Sequence, residues 1–117
     1  MTSSQTFEIR VTTLFLKEAK SLKKKYPSIK ASFDDLRDDL RHDPINRAES
    51  SLGQECYKVR MEIEGKKAGK SYGARVIIHV KIIDKIVYLL SVYDKSDRPG
   101  LDTAISDLLK DLENPFD

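Results

Sequence analysis

Lys58, Arg60, Arg75 and His79 stand at alternate positions in two stretches of β-type sequence, and Tyr93 and Lys95 end a third. Alternation sends every second side chain to the same face of a strand. If the three stretches are neighbours in one sheet, these six side chains share a surface. Lysine and arginine on such a surface can hold a phosphate, neutralise charge on a pentavalent phosphorus and protonate a leaving oxygen, while a phenol or imidazole withdraws a proton from a ribose 2′-hydroxyl. Metal-free cleavage of RNA needs little else, because each well-placed donor supplies about 2–4 kcal/mol in the transition state. The same residues can also serve simply to keep a sheet face solvated, and the pattern alone leaves both readings open.

Other chemistries find little support. The sequence has no phosphate-binding P-loop, no glycine-rich dinucleotide fingerprint and no histidine or cysteine cluster at zinc spacing. No metal site and no cofactor are therefore expected. His42, beside the helix stop Asp43-Pro44, reads as a polar residue near a helix C-terminus. Cys56 is the single cysteine, so it has no internal disulfide partner, and it reads as a small buried residue at a strand start with no histidine pair evident in the sequence beside it.

Charge is segregated along the chain. The net charge is only +2 over 117 residues. Between Cys56 and Lys81, however, Lys58, Arg60, Lys66, Lys67, Lys70, Arg75 and Lys81 face only Glu62 and Glu64. The last sixteen residues and the stretch Asp34 to Asp43 are acidic instead. A polarised surface of this kind steers a polyanion to one side. No apolar run is long enough to span a bilayer, since Lys81, Asp84 and Lys85 interrupt the longest. The N-terminus lacks the apolar core of a signal peptide, and a cytoplasmic protein of one domain over residues 1–117, with no membrane partner, is expected.

The elements that must position the cations follow from periodicity. Phe7 to Val11 alternates as a strand. Leu14, Phe15, Ala19 and Leu22 then recur at helical spacing up to Tyr26-Pro27, and Ile29, Phe33, Leu36 and Leu40 do so after Ser28, a possible N-cap. These two helices should form a hairpin. The stretch from Asp43 to Gly53 reads as a connecting loop. Strands are expected over Tyr57–Ile63, Tyr72–Ile83 and Ile86–Tyr93, with a Lys/Gly-rich connection over Glu64–Gly73 and a tight hairpin at Asp84-Lys85. Past Pro99-Gly100, Leu101 to Leu112 keeps helical spacing. The order predicts an α+β domain: an N-terminal strand and helical hairpin, a three-stranded antiparallel meander and a short C-terminal helix. The helices should cover one face of the sheet and leave the other open.

Cys56-Tyr57-Lys58-Val59-Arg60, Gly73-Ala74-Arg75-Val76-Ile77-Ile78 and Asp84-Lys85-Ile86-Val87-Tyr88-Leu89-Leu90-Ser91-Val92-Tyr93-Asp94-Lys95, taken in that order, resemble the RelE/ParE superfamily of bacterial toxins. The RelE- and HigB-like members are the most similar. The resemblance implies the RelE-like α+β fold and the toxin of a type II toxin-antitoxin system, an endoribonuclease that enters the ribosomal A site and cuts messenger RNA without a metal. It implies a cognate antitoxin, the ribosome and messenger RNA as partners, and says nothing of the oligomeric state.

Carried over by position, the resemblance makes Lys58 and Arg60 the cations that contact and activate RNA and Arg75 the arginine that stabilises the phosphate. Lys95 falls where RelE-like members have a basic residue after the last strand. The tyrosine that RelE-like enzymes carry on the C-terminal helix aligns with Leu101 here. Tyr93 is the natural substitute, for stacking on a base or for proton transfer, or else a structural aromatic at a strand end. His79 shares the face of Arg75, and Lys66, Lys67 and Lys70 read as phosphate contacts. Arg75→Ala and Lys58→Ala are both expected to spare the fold, as both side chains should be exposed. Two other readings stand beside the nuclease: a ParE-like toxin that binds a protein such as DNA gyrase, and a degenerate relative that only binds RNA or protein.

Overall fold

The computed structural model of the protein describes residues 6–63, 73–94 and 105–113. The first strand, β1 (Glu8–Val11), leads into helix α1 (Thr13–Lys25), which packs beside helix α2 (Ile29–His42). Thr12 is the hinge of this start. Its hydroxyl oxygen accepts the Phe15 N–H at 3.1 Å, satisfying one of the free donors of the first turn. The same hydroxyl lies 3.1 Å from the Leu90 carbonyl oxygen, to which it can donate. One side chain thus caps α1 and ties it to a distant strand. Ser28 occupies the N-cap position of α2 but makes no side-chain capping bond.

Four further strands follow: β2 (Ala48–Gly53), β3 (Cys56–Met61), β4 (Ala74–Lys81) and β5 (Ile86–Asp94), and the described chain ends in helix α3 (Ile105–Glu113). The sheet order is β1-β5-β4-β3-β2. Strand β1 runs parallel to β5, with Ile9 opposite Val87, and the other neighbours are antiparallel. The sheet is therefore a four-stranded antiparallel meander with the N-terminal strand added at one edge.

Three expectations need correction. The stretch read as a connecting loop contains β2, joined to β3 by the two-residue turn Gln54-Glu55 between the paired Gly53 and Cys56. Both turn residues have positive φ, 52° and 62°, the backbone of the tight hairpin turn that Asn-Gly or Asp-Gly usually signals. Gln-Glu gives no such signal, and Ser50 and Ser51 lack the branched side chains that advertise a strand. At the β4–β5 hairpin, Ile82 and Ile83 belong to the turn rather than to β4, which ends at Lys81. Beyond the described residues lies the expected beginning of the last helix around Leu101.

The sheet face expected to be open is the third. Phe15, Leu22, Ile29, Leu36 and Leu40 of α1 and α2 bury one face together with Val59, Met61, Val76, Ile78, Val80, Val87 and Val92. On the opposite face Cys56, Ile77, Leu90 and Tyr93 form a smaller core with Leu108 of α3, and Leu14, Tyr88, Ile105 and Leu109 pack around it. Apolar residues at alternate positions on both faces of β4 and β5 require cover on both sides. The amphipathic spacing of α3 supplies it. Among the described residues no helix is long and apolar enough to cross a membrane.

Candidate functional site

The antiparallel register sets Arg60 opposite Arg75 and Arg75 opposite Tyr93, so the three residues form one row across β3, β4 and β5. Alternation puts Lys58 two residues from Arg60 on the same face of β3, opposite Ile77. Cys56 continues that face and pairs with His79. Strand pairing thus brings together the residues singled out from the sequence: Lys58, Arg60, Arg75, Tyr93 and His79. Lys66, Lys67, Lys70 and Lys95 lie outside the described residues.

Their exposure differs from the expectation. Arg60 is exposed and Lys58 half-buried, but Arg75 is 2% exposed, Tyr93 4% and His79 9%. The reason is the second core: Tyr93 packs with Ile77, Leu90 and Leu108 in the layer that α3 completes. The face is basic at its β3 side and closed toward β5. Arg75 accordingly carries structural weight as well as charge.

A buried guanidinium requires partners. Arg75 Nε donates to Glu49 Oε1 at 3.0 Å, and its Nη1 donates to the Ala74 carbonyl oxygen at 3.3 Å. Glu49 comes from β2, two strands away. It sits where the β2–β3 register shifts, between Ala48, which pairs with Val59, and Ser50, which pairs with Lys58. A bulge re-aims a side chain locally, and here the Glu49 carboxylate crosses β3 to reach Arg75. Sequence reasoning missed Glu49 because it missed its strand. Arg47 frames the same edge, donating to Asp39 Oδ2 at 2.6 Å and to the Arg60 carbonyl oxygen at 3.2 Å.

Tyr93 is held in place by its neighbours on β5. Glu18 of α1 accepts from Ser91 Oγ at 2.7 Å and from the Val92 N–H at 3.0 Å. Asp94, buried, accepts from Tyr26 Oη at 2.8 Å, with Lys25 Nζ at 3.8 Å. The strand end is thus fastened to α1 from the opposite face of the sheet. These bonds are non-local in sequence and had no sequence signal.

Cys56 and His79 are adjacent after all, with Sγ and Nδ1 3.4 Å apart. Burial pushes the thiol up to about 11, with the nearby Glu55 acting in the same direction. Burial likewise lowers the His79 pKa. Both effects favour the neutral forms, so this pair is no thiolate-imidazolium couple at neutral pH. Among the described residues no group of three or more histidine, cysteine or acidic side chains is placed to hold a metal ion.

No protein-family model matches the chain, and no curated protein matches it significantly. Solved structures do resemble it. The Escherichia coli toxin RelE, in a double arginine-to-alanine mutant in the free state, is 16% identical with a TM-score of 0.57, over 90% of this chain and 96% of that one. The archaeal RelE-RelB complex from Pyrococcus horikoshii is 22% identical with a TM-score of 0.52, over 77% and 96%. The α+β architecture expected from the sequence and these two likenesses agree: the chain has the RelE-like toxin fold.

Proposed function

We propose that this protein is the toxin of a type II toxin-antitoxin pair, a cytoplasmic endoribonuclease that cuts messenger RNA in the ribosomal A site. The observation that carries the reading is the in-register row Arg60, Arg75, Tyr93 beside Lys58 on a RelE-like sheet. In the reaction the 2′-oxygen of a ribose attacks the adjacent phosphorus and the 5′-oxygen leaves, producing a 2′,3′-cyclic phosphate. Lys58 and Arg60, at the open side of the row, approach the phosphate first and offset the charge of the phosphorane. Arg75 supports that charge from behind. Tyr93 is the candidate for stacking or proton transfer, Lys95 after the last strand is a further catalytic candidate, and Lys66, Lys67 and Lys70 add phosphate contacts, with His79 in a minor role. A cognate antitoxin fits the same reading, since one similar structure is a RelE-RelB complex. It would cover the basic face with a helix or extended segment.

A second reading has its own observation. Arg75 and Tyr93 are shut from solvent, which favours a ParE-like toxin that acts on a protein such as DNA gyrase, or a relative that only binds RNA. Induced expression in a bacterium, with primer extension on a translated reporter messenger, separates the readings. In-frame cleavage that stops when translation is blocked, and that is lost in Lys58→Ala and Arg60→Ala, is the expected result. Growth arrest with intact messenger would remove the nuclease and leave the protein-binding toxin.

A further inference from the structure

Arg75 raises an electrostatic problem that the sheet itself creates. It stands directly opposite Arg60 on the neighbouring strand, and like charges so placed repel. It is also almost fully buried, at 2% exposure, where an uncompensated cation is costly. Among the described residues Glu49 is the carboxylate that pairs with its guanidinium, and it comes from an edge strand through a register shift that aims it across β3. The Glu49 side chain is 39% exposed, so it joins the buried arginine to the solvent-facing part of the site.

The geometry of the bond is specific. Glu49 engages Nε and the Ala74 carbonyl engages Nη1. A guanidinium has five N–H donors in a rigid fork. With Nε and one Nη1 hydrogen committed, the plane of the fork is fixed.

We infer that Glu49 is the positioning residue of Arg75: it neutralises the buried guanidinium and fixes its plane behind Lys58 and Arg60, where its charge supports an RNA phosphate held on the open side of the row. This rests on the nuclease reading for its consequence in catalysis, but the positioning itself does not. Glu49 touches no substrate in this role. Without its charge, the long arginine side chain has less reason to remain folded under the sheet face and turns toward solvent, away from Tyr93.

The test uses the full-length protein with Glu49→Gln, which preserves size but removes the charge, and Glu49→Asp, which preserves the charge. Phenylglyoxal labels accessible arginines, and peptide mass spectrometry locates the label. Arg75 should be protected in the wild type, labelled in Glu49→Gln at a rate approaching that of exposed Arg37, and again largely protected in Glu49→Asp. In ribosome-dependent cleavage, Glu49→Gln should lower kcat by about 10²-fold with KM changed little, as for a misplaced catalytic group. The acid limb of its pH profile should be that of the wild type, and Glu49→Asp should recover part of the rate. Protection of Arg75 in Glu49→Gln would overturn the inference, as would loss of the acid limb, which would make Glu49 the proton acceptor. If the wild type cuts no RNA, the nuclease reading falls while the labelling still decides whether Glu49 positions Arg75.

Discussion

Cys56 and His79 are cross-strand partners on β3 and β4 whose Sγ and Nδ1 atoms lie 3.4 Å apart inside the smaller core. Their titration shapes stability at both ends of the pH range. His79 is lowered by burial, so the folded state binds less proton than the unfolded chain below the ordinary histidine value. Stability is then full above about pH 6.5 and falls as pH drops through the folded value. Cys56 is raised to about 11 from its ordinary 9.0. Its contribution is full below about pH 9 and is lost as pH rises toward 11. Thermal melts from pH 5 to 11 should show both losses, His79→Gln flattening the acid side and Cys56→Ala the alkaline side. A thiol reagent at pH 7 should react with Cys56 only slowly in the folded protein.

Arg75→Ala should not spare the fold. Truncation removes a buried side chain with its bonds to Glu49 and Ala74, and a loss of about 1–3 kcal/mol is expected. Arg60→Ala, on the exposed side of the same row, should cost about 0.5 kcal/mol or less. Urea denaturation of the two variants checks the difference. Equal stabilities would mean that Arg75 is as exposed in solution as Arg60.

Tyr26→Phe removes the phenol that donates to buried Asp94. A hydrogen bond to a charged group contributes about 1.5–3 kcal/mol, and Lys25, at 3.8 Å, offsets part of the loss. A stability decrease of about 1–2 kcal/mol is expected in urea. Backbone amides at the end of β5 should also exchange faster with deuterium, because this bond fastens the strand end to α1.

Gly73→Ala tests the entry to β4. Gly73 has φ +110°, and an added Cβ would lie 2.9 Å from the Met61 carbonyl oxygen. Strain and overlap act together there, so a loss of more than about 1 kcal/mol is expected. Gly53→Ala, with φ +85° but no atom within 4 Å of the added carbon, should cost less. Equal losses in the two would mean that the contact with Met61 relaxes freely.

Strong periodicity was enough to read β1, α1, α2, β3 and β5 from the residues, because a half-buried element writes its period into its own sequence. Phe7 to Val11 and Leu14 to Leu22 are such cases, and so is the alternation that groups Lys58 with Arg60 and Arg75 with His79. Strand β2 was missed for the converse reason. It lies at an edge, is mostly exposed, and turns through Gln54-Glu55, so neither burial nor turn chemistry marks it.

The sequence by itself determined which side chains share a strand face, the segregation of charge and the α+β order of elements. Those properties depend on residues a few positions apart. The tertiary structure alone decided that Arg60, Arg75 and Tyr93 form a row, that Glu49 crosses β3 to Arg75, and that α3 closes the face where Arg75, His79 and Tyr93 lie. Exposure and ion pairing there depend on register between strands and on a helix distant in sequence. Local periodicity says where a side chain points from its own strand, but not what another element lays over it.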